Sequence, residues 1–365
     1  MNEFSAWPGA ALAVASAILF GASTPLAKLL LSGGLDAQLL AGLFYLGSGV
    51  GLTLVLIARR AFFTASGGVA PAEPSLRRAD LPLLCLAIFL GGATAPVLMM
   101  SGLARTSAAS GALLQNLEGL ATMAIAWLAF RENVDRRLLA GAFAIVAGAA
   151  LLSWGGHALR GDGASGQWRG ALLIAGACLA WGADNNLTRP LAHADPMQIA
   201  ALKGLAAGAM NVTLALAAGH AGAPSVHTAV EAGAVGFLGY GVSLVLYVRG
   251  LRHLGAARTA AYFSTAPFIG SALAVLMLGD PVSWRLLVAG SLMGIGLYLH
   301  LRERHEHVHH HPATAHAHRH VHDEHHQHAH GPNDPPGEPH SHAHRHEPLT
   351  HLHPHYPDLH HRHEH

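Results

Sequence analysis

Charged residues are scarce in this chain, and their scarcity limits the class of protein to which it can belong. Asp, Glu, Lys and Arg together make up 12% of the 365 residues, whereas soluble domains carry about 25%. The net charge is +1 at pH 7, and Lys and Arg form no basic stripe that would follow a nucleic-acid backbone. The composition therefore argues against a soluble domain and against a nucleic-acid partner.

Cysteines and catalytic constellations are also lacking. The two cysteines, Cys85 and Cys178, lie within apolar runs, where a free cysteine behaves as a small hydrophobic residue. The apolar runs contain no Ser-His pair, no His-Glu-x-x-His motif and no paired carboxylates, which are the arrangements from which many catalytic sites are built. We therefore expect neither an enzyme nor a required cofactor.

Long apolar segments are abundant instead. Apolar residues make up 51% of the chain, and a helix needs about 20 of them to cross the hydrocarbon core of a bilayer. Ten runs come near this length, at residues 9–31, 36–58, 81–101, 108–130, 138–155, 169–189, 196–218, 230–249, 257–279 and 284–302. The pattern predicts an all-α polytopic membrane protein with ten transmembrane helices in the cell (inner) membrane.

The basic residues of the loops predict the orientation of these helices. The loops after helices 2, 4, 6 and 8 and the start of the tail carry thirteen arginines, whereas the opposite loops carry five Lys or Arg residues. Cytoplasmic loops are enriched in Lys and Arg. Both termini are therefore predicted to lie in the cytoplasm.

The two halves of the apolar region share an internal repeat. Residues 102–139 recur at an offset of 148 residues without a gap, and the matched positions are Gly102-Leu103 with Gly250-Leu251, Ala108-Ala109 with Ala256-Ala257, Glu132 with Asp280, and Arg137-Leu138-Leu139 with Arg285-Leu286-Leu287. Each half holds five spans, so the second half enters the membrane from the opposite side. The pattern predicts two inverted five-helix repeats, 9–155 and 169–302, an arrangement common in secondary transporters.

These motifs resemble those of the drug/metabolite transporter superfamily with two EamA-type domains. The second half has the aromatic-Gly-Ala motif Trp181-Gly182-Ala183, the small pair Ala256-Ala257, Pro267 and Asp280; the first half has Phe20-Gly21-Ala22, Ala108-Ala109 and Arg131-Glu132-Asn133. The first half departs from the pattern because Gly119 stands where Pro267 does. The resemblance covers residues 9–302. It implies export of small metabolites or drugs by exchange or by coupling to an ion gradient, without fixing the substrate.

Glu118 is the clearest candidate for a substrate site. It lies about ten residues into its predicted span, near the bilayer midplane, where an ionisable residue costs about 2.5–3.5 kcal/mol on insertion scales. Gln115 and Asn116 lie just before it. One hypothesis is a carboxylate that binds a cationic group or carries the coupling proton; the other is a structural hydrogen bond to a neighbouring helix.

Further polar residues follow the aromatic-Gly-Ala motifs. Asp184 and Asn185 lie in helix 6, and Ser23 and Thr24 occupy the equivalent positions of helix 1, before Pro25. In helix 1, proline leaves a carbonyl without its helical partner, and in helix 6 an asparagine side chain can bind such a carbonyl. We therefore expect both stretches to be locally unwound. Asp184 lies at a depth similar to that of Lys203, which predicts an ion pair with either a substrate-binding or a structural role.

Three more side chains complete the predicted substrate-binding set: Trp181, and Tyr262 and Ser264, which precede Pro267 in helix 9. For the two aromatic residues, the alternative role is an anchor at the membrane interface. The set is Glu118, Asn116, Gln115, Ser23, Thr24, Asp184, Asn185, Lys203, Trp181, Tyr262 and Ser264.

The C-terminal tail, residues 303–365, has a composition of its own. Residues 300–365 hold 25 histidines, many in His-x-His patterns. The tail has too few apolar residues to form a core, so we expect it to be disordered. Imidazole suits Ni, Co and Zn, and the predicted ligands are His305, His307, His309, His316, His318, His320, His340, His342, His344 and His346.

Two functions remain open from the sequence. The first is a secondary transporter that exports small organic metabolites or drugs by alternating access, with a metal-binding cytoplasmic tail. The alternative is an efflux transporter for a divalent transition metal or its chelate, in which the tail delivers the cargo. A membrane-embedded enzyme is the third class, and the absence of catalytic constellations within the spans disfavours it.

Overall fold

The computed structural model describes residues 7–65, 76–130, 136–154, 164–188, 190–191, 194–219, 224–254 and 256–301, and four tail segments, 305–311, 314–320, 340–346 and 349–355. The chain divides into two units, Met1–Leu301 and Arg302–His365. The loop that contains Glu132 lies outside the described residues.

The first unit is helical in all of its regular elements among the described residues. Its helices are α1 (Trp7–Ser32), α2 (Ala37–Ala65), α3 (Leu81–Ala87, Ile88–Thr94 and Ala95–Leu103), α4a (Ala108–Leu114), α4b (Leu117–Phe130), α5 (Arg136–Ser153), α6 (Ala164–Thr188), α7 (Pro196–Ala217), α8 (Val226–Gly236, Phe237–Val242 and Ser243–Leu254), α9a (Ala256–Phe263), α9b (Ala266–Leu278) and α10 (Trp284–Leu301). A 3-10 turn, Arg78–Asp80, leads into α3.

Eight of these helices, as far as the structure describes them, are long and apolar enough to cross a membrane. They are α1, α2, α3, α4, α5, α7, α8 and α9, where α4 and α9 each comprise their two segments. The protein is therefore a multi-pass membrane protein. Two of the described helices fall outside this set. They are α10 and α6, and α6 carries Gln167, Arg169 and Asp184 among its polar residues.

Irregular turns interrupt four of the helices at matching places. α3 contains the π-helical segment Ile88–Thr94, and α8 contains the π-helical segment Phe237–Val242; their last residues are 148 positions apart. α4 breaks at residues 115–116 and α9 at residues 264–265. Pro267 lies in the first turn of α9b, and the equivalent residue of α4b is Gly119. α4 therefore breaks without a proline at this position. π-helical turns inside α-helices occur frequently at functional sites.

The expected unwinding of α1 and α6 is wrong, because both are continuous helices. Side-chain hydrogen bonds to backbone carbonyls accompany both helices at these places. Ser23 Oγ donates to Phe20 O at 2.6 Å, and Asn186 Nδ2 donates to Gly182 O at 2.8 Å. Irregular backbone occurs instead in the partner helices α3, α4, α8 and α9.

The motif glycines bring helices into close backbone contact. A Cβ atom on Gly21 would lie 2.5 Å from Ala266 O and 3.1 Å from Gly270 N of α9b. A Cβ atom on Gly182 would lie 2.8 Å from Thr122 N of α4b. Only glycine permits such an approach, which is the way small residues pack membrane helices. Gly270 lies 148 residues after Thr122, so the two contacts occupy the same position in the two halves.

A second pair of helix contacts recurs at the same offset. A Cβ atom on Gly102 of α3 would lie 3.1 Å from Ile174 N of α6, and one on Gly250 of α8 would lie 3.6 Å from Ala13 N of α1. Gly102 and Gly250 are the residues that begin the sequence repeat. α6 therefore packs on α3 as α1 packs on α8.

Four segments of the tail unit are β-strands, a regular pattern that was not predicted from the sequence. β1 (His305–His311) pairs with β4 (Leu349–His355), and β2 (Thr314–His320) pairs with β3 (His340–His346), both antiparallel. The registers place His307 opposite His353 and His318 opposite His342. The reason is the His-x-His alternation, whose period of two matches that of a strand, while pairing satisfies the backbone groups without a hydrophobic core.

Candidate functional site

Glu118 lies in the first turn of α4b, just after the break in α4. Its Oε1 accepts a hydrogen bond from Asn185 Nδ2 of α6 at 3.1 Å. Asn185 Nδ2 also donates to Thr122 Oγ1, one turn along α4b, at 3.2 Å. Asn185 is exposed, whereas Glu118 is half-buried. The break therefore presents a carboxylate to α6 at a place that is open on one side.

The expected ion pair between Asp184 and Lys203 is present and joins α6 to α7. The two side chains are 7% and 16% exposed, and Thr188 Oγ1 lies 3.2 Å from Asp184 Oδ1. The carboxylate lies against Gly91 of the π-helical segment in α3, where a Cβ atom would overlap it. Glycine at this position therefore makes room for the ion pair.

The carbonyl oxygen of Gly91 links the ion pair to two aromatic side chains. Tyr45 Oη of α2 donates to Gly91 O at 2.7 Å, and Trp181 Nε1 of α6 donates to the same oxygen at 3.0 Å. A π-helical turn changes the pairing of carbonyls along the helix, and here one of them accepts from both neighbours. Trp181 is thus held beside Asp184 by its indole N–H.

Aromatic rings continue from this point across the helices of both halves. The aromatic row consists of Tyr45, Tyr240, Phe20, Phe263 and Tyr247, with successive ring centroids 5.5, 5.7, 5.3 and 5.0 Å apart. Tyr45, the first ring of the row, shares the Gly91 carbonyl with Trp181. Trp181 lies four residues before Asn185, the donor to Glu118, so the row begins about one turn of α6 from the residue that bonds the carboxylate.

Of the two carboxylates in the cluster, Asp184 and Glu118, one has an ion-pair partner among the described residues and the other does not. Lys203 neutralises Asp184, and the ion pairs found among the described residues include none to Glu118. Its hydrogen-bond donor is the neutral amide of Asn185. A site of this kind favours a cationic group or a proton over an anion.

Two predicted residues form a separate buried contact between α1 and the break in α4. Gln115 Nε2 donates to Thr24 Oγ1 at 2.8 Å, and both side chains are buried. Asn116 Nδ2 donates to Leu113 O at 2.8 Å. These polar groups stabilise the turn at residues 115–116.

The remaining predicted residues have local partners. Ser264 Oγ donates to Ala260 O at 2.7 Å within α9, while Tyr262 is 39% exposed. Ser23 bonds within α1. The geometry thus groups Glu118, Asn185, Asp184, Lys203 and Trp181 and leaves these three outside that group.

Two members of the cluster, Tyr45 and Thr122, were not predicted from the sequence. Tyr45 is the one tyrosine in the run 36–58, and its phenol hydroxyl was a usable signal because a buried tyrosine hydroxyl usually has a hydrogen-bond partner. Thr122 lies one turn after Glu118, a spacing that places both on the same face of a helix.

Metal-ligand clusters are not found among the described residues, in which no three His, Cys, Asp or Glu side chains come together. The tail histidines are described as backbone positions in β1, β2, β3 and β4. Their side chains lie outside the described part, so the predicted tail ligands stay predictions.

A cavity of about 920 Å³ lies elsewhere, between the C-terminal part of α1 and the start of α8. It is lined mainly by apolar residues, with Ser32, Thr228 and Glu231 as its polar side chains. It contains none of the predicted substrate residues. An apolar recess on a membrane helix surface is also where lipid chains pack, so we place the candidate site at Glu118.

Residues 7–154 and 168–302 each match the EamA-like transporter family. The chain belongs to this family. Both matches together cover nearly all of the helical unit, and each begins before an aromatic-Gly-Ala motif. The protein is therefore a membrane transporter. The Glu118 cluster contains residues from both EamA-like segments, with Glu118 in the first and Asn185 in the second.

Two further comparisons agree with this assignment. An uncharacterized transporter from Methanothermobacter thermautotrophicus is 25% identical over 291 residues, which are 78% of this chain and 83% of that protein. A protein of known crystal structure matches with a TM-score of 0.55 at 19% identity, covering 82% of this chain and 96% of that one. At this identity, the second match supports the fold alone.

Proposed function

We propose that this EamA-like transporter exports small organic metabolites or drugs from the cytoplasm by alternating access, with Glu118 as the carboxylate that binds substrate or the coupling proton. The observation that carries this proposal is the position of Glu118. It lies next to a helix break and accepts a hydrogen bond from the neutral amide of Asn185, which is one turn of α6 from Trp181 at the start of the aromatic row. A carboxylate beside aromatic faces suits an organic cation, and an ionisable residue in a membrane span marks a pathway.

The helix contacts support two inverted five-helix repeats, each supplying half of the pathway. Close contacts of Gly21 and Gly182 recur at equivalent positions, as do those of Gly102 and Gly250. The recurrence is expected if the five-helix units 9–155 and 169–302 are related by a two-fold axis in the membrane plane. Alternating access then occurs when the two repeats exchange their related packing arrangements.

The membrane orientation follows from the loop charges. Thirteen arginines on one side and five basic residues on the other support cytoplasmic termini in the inner membrane. In this orientation α6 ends at the cytoplasmic side, so Asp184 and Asn185 lie in the cytoplasmic half of their helix. Cargo collected there is exported.

The replacement Glu118→Gln tests the proposal. Growth of a deletion strain on a panel of amines, amino-acid analogues and metals first identifies a cargo. Export of that cargo by Glu118→Gln is then expected to fall at least roughly tenfold, equivalent to about 1.4 kcal/mol of barrier, because the amide keeps the hydrogen bond but carries neither charge nor proton. Glu231→Gln makes the same chemical change at an exposed residue and is expected to leave export unchanged. Wild-type export by Glu118→Gln at every pH would refute the role.

The metal-efflux alternative has one specific observation in its favour. The strand registers of the tail set histidines opposite one another, among them His307 with His353 and His318 with His342. The growth panel separates the two functions. Sensitivity to Ni, Co or Zn alone, with no organic cargo, supports metal efflux; sensitivity to an organic compound supports the main proposal.

A further inference from the structure

The two ends of the interface between α4 and α9 differ. At one end, α4a packs on α9b. A Cβ atom on Gly270 would lie 3.1 Å from Ala112 Cβ, and the Ala109 N–H donates to Asp280 Oδ2 at 2.8 Å. The small residues Ala108 and Ala274 are fully buried in the same cluster. This end is closed.

The repeat predicts an equivalent contact at the other end. The 148-residue offset maps α4a onto α9a and α9b onto α4b. Within the described residues, however, α9a packs on α1 and α8 and makes no comparable packing with α4b or α6. Tyr262 of α9a and Asn185 of α6 are exposed at this end. The second end is therefore open, and Glu118 lies at its inner limit.

We infer that this is the cytoplasm-open state and that the pathway closes when α9a moves onto α4b, with Ala260 packing against Thr122. This inference rests on the proposed function, which supplies the orientation and the inverted repeat. Ala260 lies 148 residues after Ala112, and Thr122 lies 148 residues before Gly270. The contact between Ala112 and Gly270 opens in the same step.

The surroundings of the two residues support this pairing. Thr122 lies against Gly182 as Gly270 lies against Gly21, so each end presents a helix held by a motif glycine. Ala260 and its neighbour Ala261 are small, which permits the close approach that membrane helices use in tight packing. Closure covers Glu118, since that residue lies one turn before Thr122 on α4b.

A cysteine pair tests the closed contact. In a chain carrying Cys85→Ser and Cys178→Ala, the pair Thr122→Cys/Ala260→Cys is oxidised in native membranes. A disulfide requires Cβ atoms about 3.5–4.5 Å apart, so it forms only when α4b and α9a touch. We expect efficient cross-linking, reversed by reductant. The control Ala124→Cys/Ala260→Cys places the first cysteine about 200° further around the helix and is expected not to cross-link.

A third cysteine reports the opposite end. Ala274→Cys, or Leu278→Cys if the first variant melts at lower temperature, is labelled from outside by a membrane-impermeant maleimide. Labelling is expected only after the Thr122–Ala260 cross-link has formed. Cross-linking no better than in the control, unchanged labelling, or export by the cross-linked protein each overturns the inference. If cross-linking and labelling are as expected but the protein without the cross-link exports no organic cargo, the inference stands and the proposed function is refuted.

Discussion

The two halves of the membrane unit share their packing but differ in their chemistry. Gly21 and Gly182 make equivalent contacts in the first and second halves. The residues that follow them are Ser23 and Thr24 in α1, but Asp184 and Asn185 in α6. Packing therefore follows the repeat, whereas charge is concentrated at one of two equivalent places.

The difference extends to the partner helices. Glu118 of α4b meets Asn185, and its equivalent in α9b is Ala266, whose carbonyl lies against Gly21. A two-fold arrangement needs only matched shapes at both interfaces to exchange one packing for the other. The binding site is needed only once, near the bilayer midplane, where it is accessible in both states. Under the proposed function, the packing that both halves share serves movement, and the charged residues that they do not share serve binding.

The largest expected effect concerns the opposite orientation of the halves. Reporter fusions after Arg304 and in the loop at Gly161 should report opposite sides of the membrane, with the Arg304 fusion in the cytoplasm. The reason is the odd number of spans between the two sites together with the loop charges. Fusions at Arg59 and Arg249, also predicted to be cytoplasmic, serve as controls. If the fusions at Arg304 and Gly161 reported the same side of the membrane, the two halves would not be inverted relative to each other.

The next effect concerns the shared packing. Gly21→Val and Gly182→Val should both reduce the amount of folded protein and its melting temperature, because each side chain would overlap the backbone of a neighbouring helix. Overpacking of this kind costs about 1–3 kcal/mol. The matched control is Gly119→Ala, since a Cβ atom at Gly119 meets nothing within 4 Å. Tolerance of one valine but not the other would mean that the two contacts are not equivalent.

The sequence predicted much of the fold because the relevant signals are long. The apolar runs, the loop charges and the 148-residue register each extend over many residues. The ion pair of Asp184 with Lys203 was also within reach, because depth along a helix is easily counted. The π-helical segments in α3 and α8 were not predicted, because they depend on what packs alongside. Gly91, for example, is needed where Asp184 approaches, and nothing local in the sequence signals that.

Asp184, whose equivalent in α1 is the uncharged Ser23, gives a further test of the difference between the halves. Asp184→Asn should destabilise the protein because it leaves Lys203 buried without its partner, a change that costs about 3–5 kcal/mol. The double variant Asp184→Asn/Lys203→Met should recover most of the lost melting temperature. If export recovers as well, the ion pair is structural; if folding recovers and export does not, the pair binds cargo. Asp184→Asn with an unchanged melting temperature would contradict the pairing.

The smallest expected effect concerns the tail, which neither half of the repeat contains. A truncation after Arg304 should insert normally and export an organic cargo at nearly the full rate, because membrane helices satisfy their backbone groups without it. In the full-length chain we expect added Ni or Zn to change the export rate, and this response should be absent from the truncated protein. It should also weaken below about pH 6, where protonation removes the imidazole lone pair that binds metal. A folded truncation without any export would instead make the tail part of the transport pathway and favour metal efflux.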